Sequence, residues 1–90
     1  MAEPYEGPVR VRGSDGVLLT TGTASLEWDE EMGNWTGLLQ TLEGTAVAGK
    51  ALVVQLETPD GEVGTAQLTP QGEAGEYYTS SVTGLGPPPF

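Results

Sequence analysis

The segment 51–69, Ala-Leu-Val-Val-Gln-Leu-Glu-Thr-Pro-Asp-Gly-Glu-Val-Gly-Thr-Ala-Gln-Leu-Thr, restricts the folds open to this chain more than any other. Thr58, Pro59, Asp60 and Gly61 fit a type I turn: Pro59 presets φ, and Gly61 tolerates the left-handed conformation that follows. With Thr58 facing Glu62 across the three-residue loop, Leu56 faces Gly64, Val54 faces Ala66 and Leu52 faces Leu68. One face of the hairpin is then apolar or small, while Val53, Gln55 and Glu57 face Gln67, Thr65 and Val63 on the other. A slip of one residue would set Leu52 against Gln67, so turn chemistry and burial select the same register.

The flanking sequence carries the same period-two signal. Over 8–13, Val9 and Val11 alternate with Arg10 and Arg12, and Pro8 is tolerable at the first position of a strand. Ser14, Asp15 and Gly16 form a turn into the longest strand, 17–28, whose Ala24, Leu26 and Trp28 share the inward parity. Both faces are apolar near Leu18 and Leu19, and Gly22 marks a bend or bulge. A polar link over 29–34 leads to a strand over 35–42, where the adjacent Leu38 and Leu39 imply a bulge or cover on both sides. Residues 45–47 are expected as irregular chain or a short edge strand. Segment 70–76, with Gly72 and Gly75, reads as a loop, and 77–85 as the last strand. Pro87, Pro88 and Pro89 favour polyproline II and cannot donate to a sheet, so a β domain over 1–86 is followed by a proline-rich tail over 87–90. Phe90 either frays or anchors that tail against the barrel or a partner.

Five or six strands without a credible helix imply an all-β, mostly antiparallel small barrel, with a compact β-sandwich as the alternative. Glycines inside the strands favour the curvature of a barrel. The expected core contains Leu26, Trp28, Trp35, Leu52, Val54, Leu56 and Leu68. No run approaches the roughly 18 apolar residues of a membrane-spanning helix. Glu3 stands where a signal peptide would be positively charged, and the absence of cysteine suits a reducing compartment, so the chain is expected in the cytoplasm. Thirteen acidic against three basic residues give a net charge of -10, which disfavours nucleic acid and anionic membranes.

Without Cys or His there is no thiol nucleophile, no Ser/His/Asp arrangement and no ordinary zinc site, whereas carboxylate acid-base catalysis, which needs only two suitably separated acids, is not excluded. No pair is singled out, no metal site or cofactor is expected, and no glycine spacing forms a phosphate cradle. The acidic group Glu27, Asp29, Glu30 and Glu31 lacks the EF-hand pattern and reads as a solvated turn rather than a calcium site. Arg10 and Arg12 share a strand face and are expected to pair with the surplus carboxylates. Asn34, Trp35 and Thr36 match a glycosylation pattern that has no meaning without secretion. The candidate ligand or partner contacts are the amphipathic aromatics Trp28, Trp35, Tyr77, Tyr78 and Phe90, whose structural alternative is core or barrel-end filling. Tyr77 and Tyr78 are adjacent on a strand, so one points in and the other out.

Tyr5-Glu6-Gly7-Pro8, Gly33-Asn34-Trp35-Thr36-Gly37 and the run from Gly84 through Pro87, Pro88 and Pro89 to Phe90 together resemble small uncharacterised β-domain proteins of high-GC actinobacteria. The resemblance covers most of the chain, implies a compact β domain and assigns no residue-level function. The expected role is a noncatalytic protein-interaction or structural module that self-associates as a homodimer or binds a protein partner. The alternative is a small-molecule binding barrel with Trp28, Trp35 and one of the paired tyrosines around a cavity.

Overall fold

A computed structural model of the protein describes residues 3–42 and 51–90. Six strands form among them: β1 (Tyr5–Arg12), β2 (Leu18–Asp29), β3 (Asn34–Leu42), β4 (Leu52–Glu57), β5 (Val63–Ala74) and β6 (Tyr77–Gly84). The expected edge strand at 45–47 lies outside the described residues.

The β4–β5 hairpin has the register its turn dictates, with Leu52 opposite Leu68, Val54 opposite Ala66 and Leu56 opposite Gly64. The Thr58 amide donates to the Glu62 carbonyl and the Gly61 amide to the Thr58 carbonyl, each at 2.9 Å. Gly61 takes φ 89°, which costs a side-chain-bearing residue about 1–2 kcal/mol.

Two antiparallel meanders, β1-β2-β3 and β4-β5-β6, close into one barrel in the order β1-β2-β3-β6-β5-β4. All six neighbouring pairs are antiparallel. The β1–β4 seam is the shortest ladder, only Arg10–Glu57, Val11–Leu56 and Arg12–Gln55. It is clasped outside by Glu57, whose Oε1 accepts from Arg12 Nε and Nη2 at 3.2 and 3.1 Å, with Arg10 Nη1 at 3.8 Å. Both arginines therefore pair with a carboxylate, as their shared face implied.

Alternation carries the inward residues Val9, Val11, Ala24, Leu26, Trp35, Leu39, Val54, Leu56, Ala66, Leu68 and Val82 into one buried core. Full burial of a Val or Leu side chain contributes about 1.5–3 kcal/mol. Trp28 and Leu52 pack against this core without being fully buried.

Four expectations need correction. Pro8 does not open β1 but sits inside it; β4 flanks β1 only at residues 10–12, so Pro8 lies where that side of the strand is unpaired. Leu38 and Leu39 mark no bulge: the ladder runs through them regularly, with Leu39 buried and Leu38 outside. The β1–β2 bulge falls between Val11 and Arg12, opposite Leu18 to Thr20, which accounts for the broken alternation there. Gly22 answers a different demand, because a Cβ there would run into the Gln40 carbonyl of β3. Finally, 70–76 is no loop. β5 continues through Pro70 with a bulge between Pro70 and Gly72 and pairs with β6 to Ala74. Among the described residues β4 pairs with β5 only as far as Leu68, and none of them bonds to Pro70 on that side.

The two meanders are related by a pseudo-two-fold. Exchanging β1 with β4, β2 with β5 and β3 with β6 carries Ala24–Leu39 onto Leu68–Val82, Val11–Thr20 onto Leu56–Gly64, and Gly37–Val82 onto Ser80–Leu39. The β1–β2 turn repeats the β4–β5 turn: the Gly13 amide donates to Val17 O and the Gly16 amide to Gly13 O, both at 2.9 Å. The axis is perpendicular to the barrel, so it interchanges the two ends.

Candidate functional site

Trp28 and Trp35 are directly opposed on β2 and β3, next to the 29–34 turn. Cross-strand partners point to the same face, and here that face is the barrel interior. Trp35 is fully buried. Its indole lies over Gly84 of β6 and Gly64 of β5: a Cβ on Gly84 would overlap the five-membered ring, and one on Gly64 would stand 2.9 Å from Cζ2. Two missing side chains thus make room for the largest residue of the core.

Residues 85–90 fold back over this ring. The Leu85 amide donates to Thr65 O at 2.9 Å, and Trp35 Nε1 donates to Gly86 O at 2.9 Å. Thr58 Oγ1 reaches Pro89 O at 3.4 Å. Pro89 is fully buried, and its Cδ lies 2.6 Å from where a Gly64 Cβ would stand. Phe90 meets Trp35 edge-on, with centroids 6.1 Å apart and planes at 86°; such a pair adds about 0.5–1.5 kcal/mol beyond area burial. Phe90 therefore anchors the proline-rich segment on the barrel, the second of its two expected roles.

The two tyrosines lie elsewhere. Tyr78 opposes Thr41 and is half-buried on the inward parity, whereas Tyr77 opposes Leu42 and is exposed outside. Six residue steps along β3 separate Thr41 from Trp35, roughly 20 Å at about 3.4 Å per residue. The tyrosines and tryptophans thus occupy opposite ends and do not converge around a common cavity. Three shallow surface clefts have volumes near 240, 320 and 310 Å³. Of the candidate aromatics only Tyr77 lines any of the three, together with Pro8, Thr21 and Leu42 among others.

Asp29 is committed to its own turn, its Oδ1 accepting from the Glu31 and Met32 amides at 3.0 and 3.2 Å. No cluster of three potential metal ligands occurs among the described residues. Tyr5 Oη donates to Pro8 O at 2.6 Å, and its phenol pKa is raised by burial and secondarily by the negative charge of Asp60.

A feature that residue-by-residue reading missed is the distribution of charge over the barrel wall. Outward positions of β3 and β6 pair as Leu38–Ser81, Gln40–Thr79 and Leu42–Tyr77, and β5 adds Thr65, Gln67 and Thr69. None is charged. Leu38, Leu42 and Tyr77 are 50%, 53% and 49% exposed. Glu27 bounds this wall on β2, and Glu73 and Glu76 bound it at one end. Outward parity, read strand by strand, was the signal that could have found it.

No protein-family model, curated protein or solved structure matches the chain. Among the described residues no helix is long and apolar enough to cross a membrane.

Proposed function

We propose that the protein is a noncatalytic interaction module of the cytoplasm that self-associates through the uncharged β3–β6–β5 wall. The observation that carries this reading is the wall itself: in a chain of net charge -10, none of the described outward residues of β3 and β6, and of β5 through Thr69, is charged, while Leu38, Leu42 and Tyr77 are exposed there. Like-charged copies repel wherever acids face acids. A two-fold contact through this wall sets hydroxyls, amides and leucines against each other and leaves the acidic turns in solvent. Exposed apolar groups with a polar surround are the ordinary composition of a transient interface.

Sedimentation equilibrium across protein concentration tests the reading. A monomer–dimer equilibrium that tightens with salt, as carboxylate repulsion is screened, and that Leu38→Lys weakens at least tenfold is the expected result. A strict monomer at all concentrations, with nothing captured from an unbiased pull-down that Leu38→Lys fails to capture, refutes it.

A further inference from the structure

We propose that the Trp35 end of the barrel is a cradle for an extended proline-rich segment of a partner protein, and that residues 86–90 of this chain occupy it as a built-in competitor. The use of the cradle in trans rests on the interaction-module reading; its geometry does not.

The segment in the cradle is held by contacts that any Gly-Pro-Pro-Pro-aromatic sequence supplies. An indole N–H takes the Gly86 carbonyl, and Thr58 reaches the Pro89 carbonyl three residues on. The backbone bends at Gly86 and Pro87 before the last prolines reach the hollow, so the two carbonyls are held across that bend. Pro89 fills the hollow left by Gly64, and Phe90 packs perpendicular to the indole. Pro87, Pro88 and Pro89 have no N–H to leave unpaired, and their preset φ reduces the entropy lost on docking. An aromatic platform with a side-chain donor is how proline-rich segments are recognised generally.

Charge indicates what would displace the resident segment. The turn that supplies Thr58 also exposes Asp60 and Glu62, and the ion pairs among the described residues leave both unused. Residues 85–90 carry no cation to meet them. A partner segment with a basic residue beside its proline run makes every contact the resident makes and adds charge complementarity. Tethering gives the resident an effective concentration on the order of millimolar, so the free cradle must bind more tightly than it shows in the intact chain.

The experiment uses the full-length chain, ¹⁵N-labelled, whose two tryptophans give two indole N–H signals. The probe is an amide-capped synthetic heptapeptide, Arg-Gly-Pro-Pro-Pro-Phe-Arg, with an all-alanine replacement of its prolines as control. Pro89→Asp places a carboxylate in the apolar hollow and expels the resident segment; Pro89→Ser does so more gently, should the first variant lose its dispersed amide spectrum. The expected result is that the Trp35 signal of the folded variant shifts on titration, that wild type binds at least tenfold more weakly, and that the alanine peptide does neither. A folded variant whose Trp35 signal is indifferent to millimolar peptide overturns the proposal, as does equal binding of the alanine peptide. If wild type instead forms dimers that Pro89→Asp abolishes, the occupant is a second copy's own segment, and the partner-protein assignment is overturned. Leu38→Lys should leave the peptide titration unchanged, which separates failure of the wall from failure of the cradle.

Discussion

Placing a methyl group on Gly84 tests whether the Trp35 end is packed as described. A Cβ there would overlap Trp35 Nε1, Cδ1 and Cε2, and the fully buried indole, with Phe90 packed against it and Pro89 sharing the Gly64 hollow, has little room to withdraw. Overpacking of this kind costs about 1–3 kcal/mol. Gly84 is not among the positive-φ glycines, so alanine also contributes about 0.4–1 kcal/mol of stabilisation by restricting the unfolded chain. The net expectation for Gly84→Ala is a loss of about 1–2 kcal/mol, against about 5–13 kcal/mol in total at the usual stability per residue. With a urea m-value near 1 kcal/mol/M, the midpoint should fall by about 1–2 M. Trp35→Leu removes the indole, and Gly84→Ala in that background should be neutral or stabilising, a coupling of at least about 1 kcal/mol. Equilibrium urea unfolding followed by far-ultraviolet circular dichroism measures all four proteins independently of tryptophan fluorescence. Gly84→Ala as stable as wild type, or equally costly in both backgrounds, would refute the packing argument.

Glu57→Gln should lower stability by about 0.5–1 kcal/mol by loosening the β1–β4 seam, while Arg10→Ala, at 3.8 Å and more exposed, should change it by less than about 0.5 kcal/mol; thermal melts in low and high salt check both. Thr41 Oγ1 and Ser80 Oγ are buried with no hydrogen-bond partner, so Thr41→Val, which keeps the shape and removes the hydroxyl, should raise the urea-derived stability by about 1 kcal/mol. Tyr5 should titrate above the ordinary 10.0. Because folding raises this pKa, its contribution to stability is complete below the unfolded value and is lost as pH rises through the folded one. Asp60→Asn should bring the Tyr5 titration down in ¹³C-tyrosine NMR spectra.

The parts of the fold legible in the sequence are those with local causes. Thr58 to Gly61 specify their own turn, the alternation of Leu52, Val54 and Leu56 fixes the register, and together they leave the β4–β5 hairpin no second solution. The seam between β1 and β4 and the ladder between β3 and β6 join residues far apart in the chain, and no local signal encodes them. Pro70 and Gly72 pointed to a loop because proline and glycine break central strands; at a bulge they do not. The candidate site divides the same way. One inward and one outward tyrosine follow from strand parity. The docking of Pro89 depends on Gly64 and Gly84 lying beneath Trp35, a coincidence of three strands that composition cannot reveal. Even the repeated Gly-Thr-Ala-x-Leu, at 22–26 and 64–68, misleads: the ladders equate Ala24 with Leu68 and not with Ala66.

That pseudo-symmetry also shows how the Trp35 end differs from its counterpart. The exchange that carries β3 onto β6 sets Tyr78 where Trp35 stands, Thr41 where Gly84 stands and Thr20 where Gly64 stands. The two ends thus share one backbone plan and are filled differently. At one, Gly84 and Gly64 leave room for an indole, with Pro89 beside it over Gly64. At the other, threonines occupy the equivalent floor, the ring is a smaller tyrosine that stays half-buried, and two hydroxyls remain unpartnered inside. The barrel keeps its ladders two-fold while its side chains depart from two-fold symmetry at Trp35, Gly64 and Gly84, the end on which residues 85–90 pack.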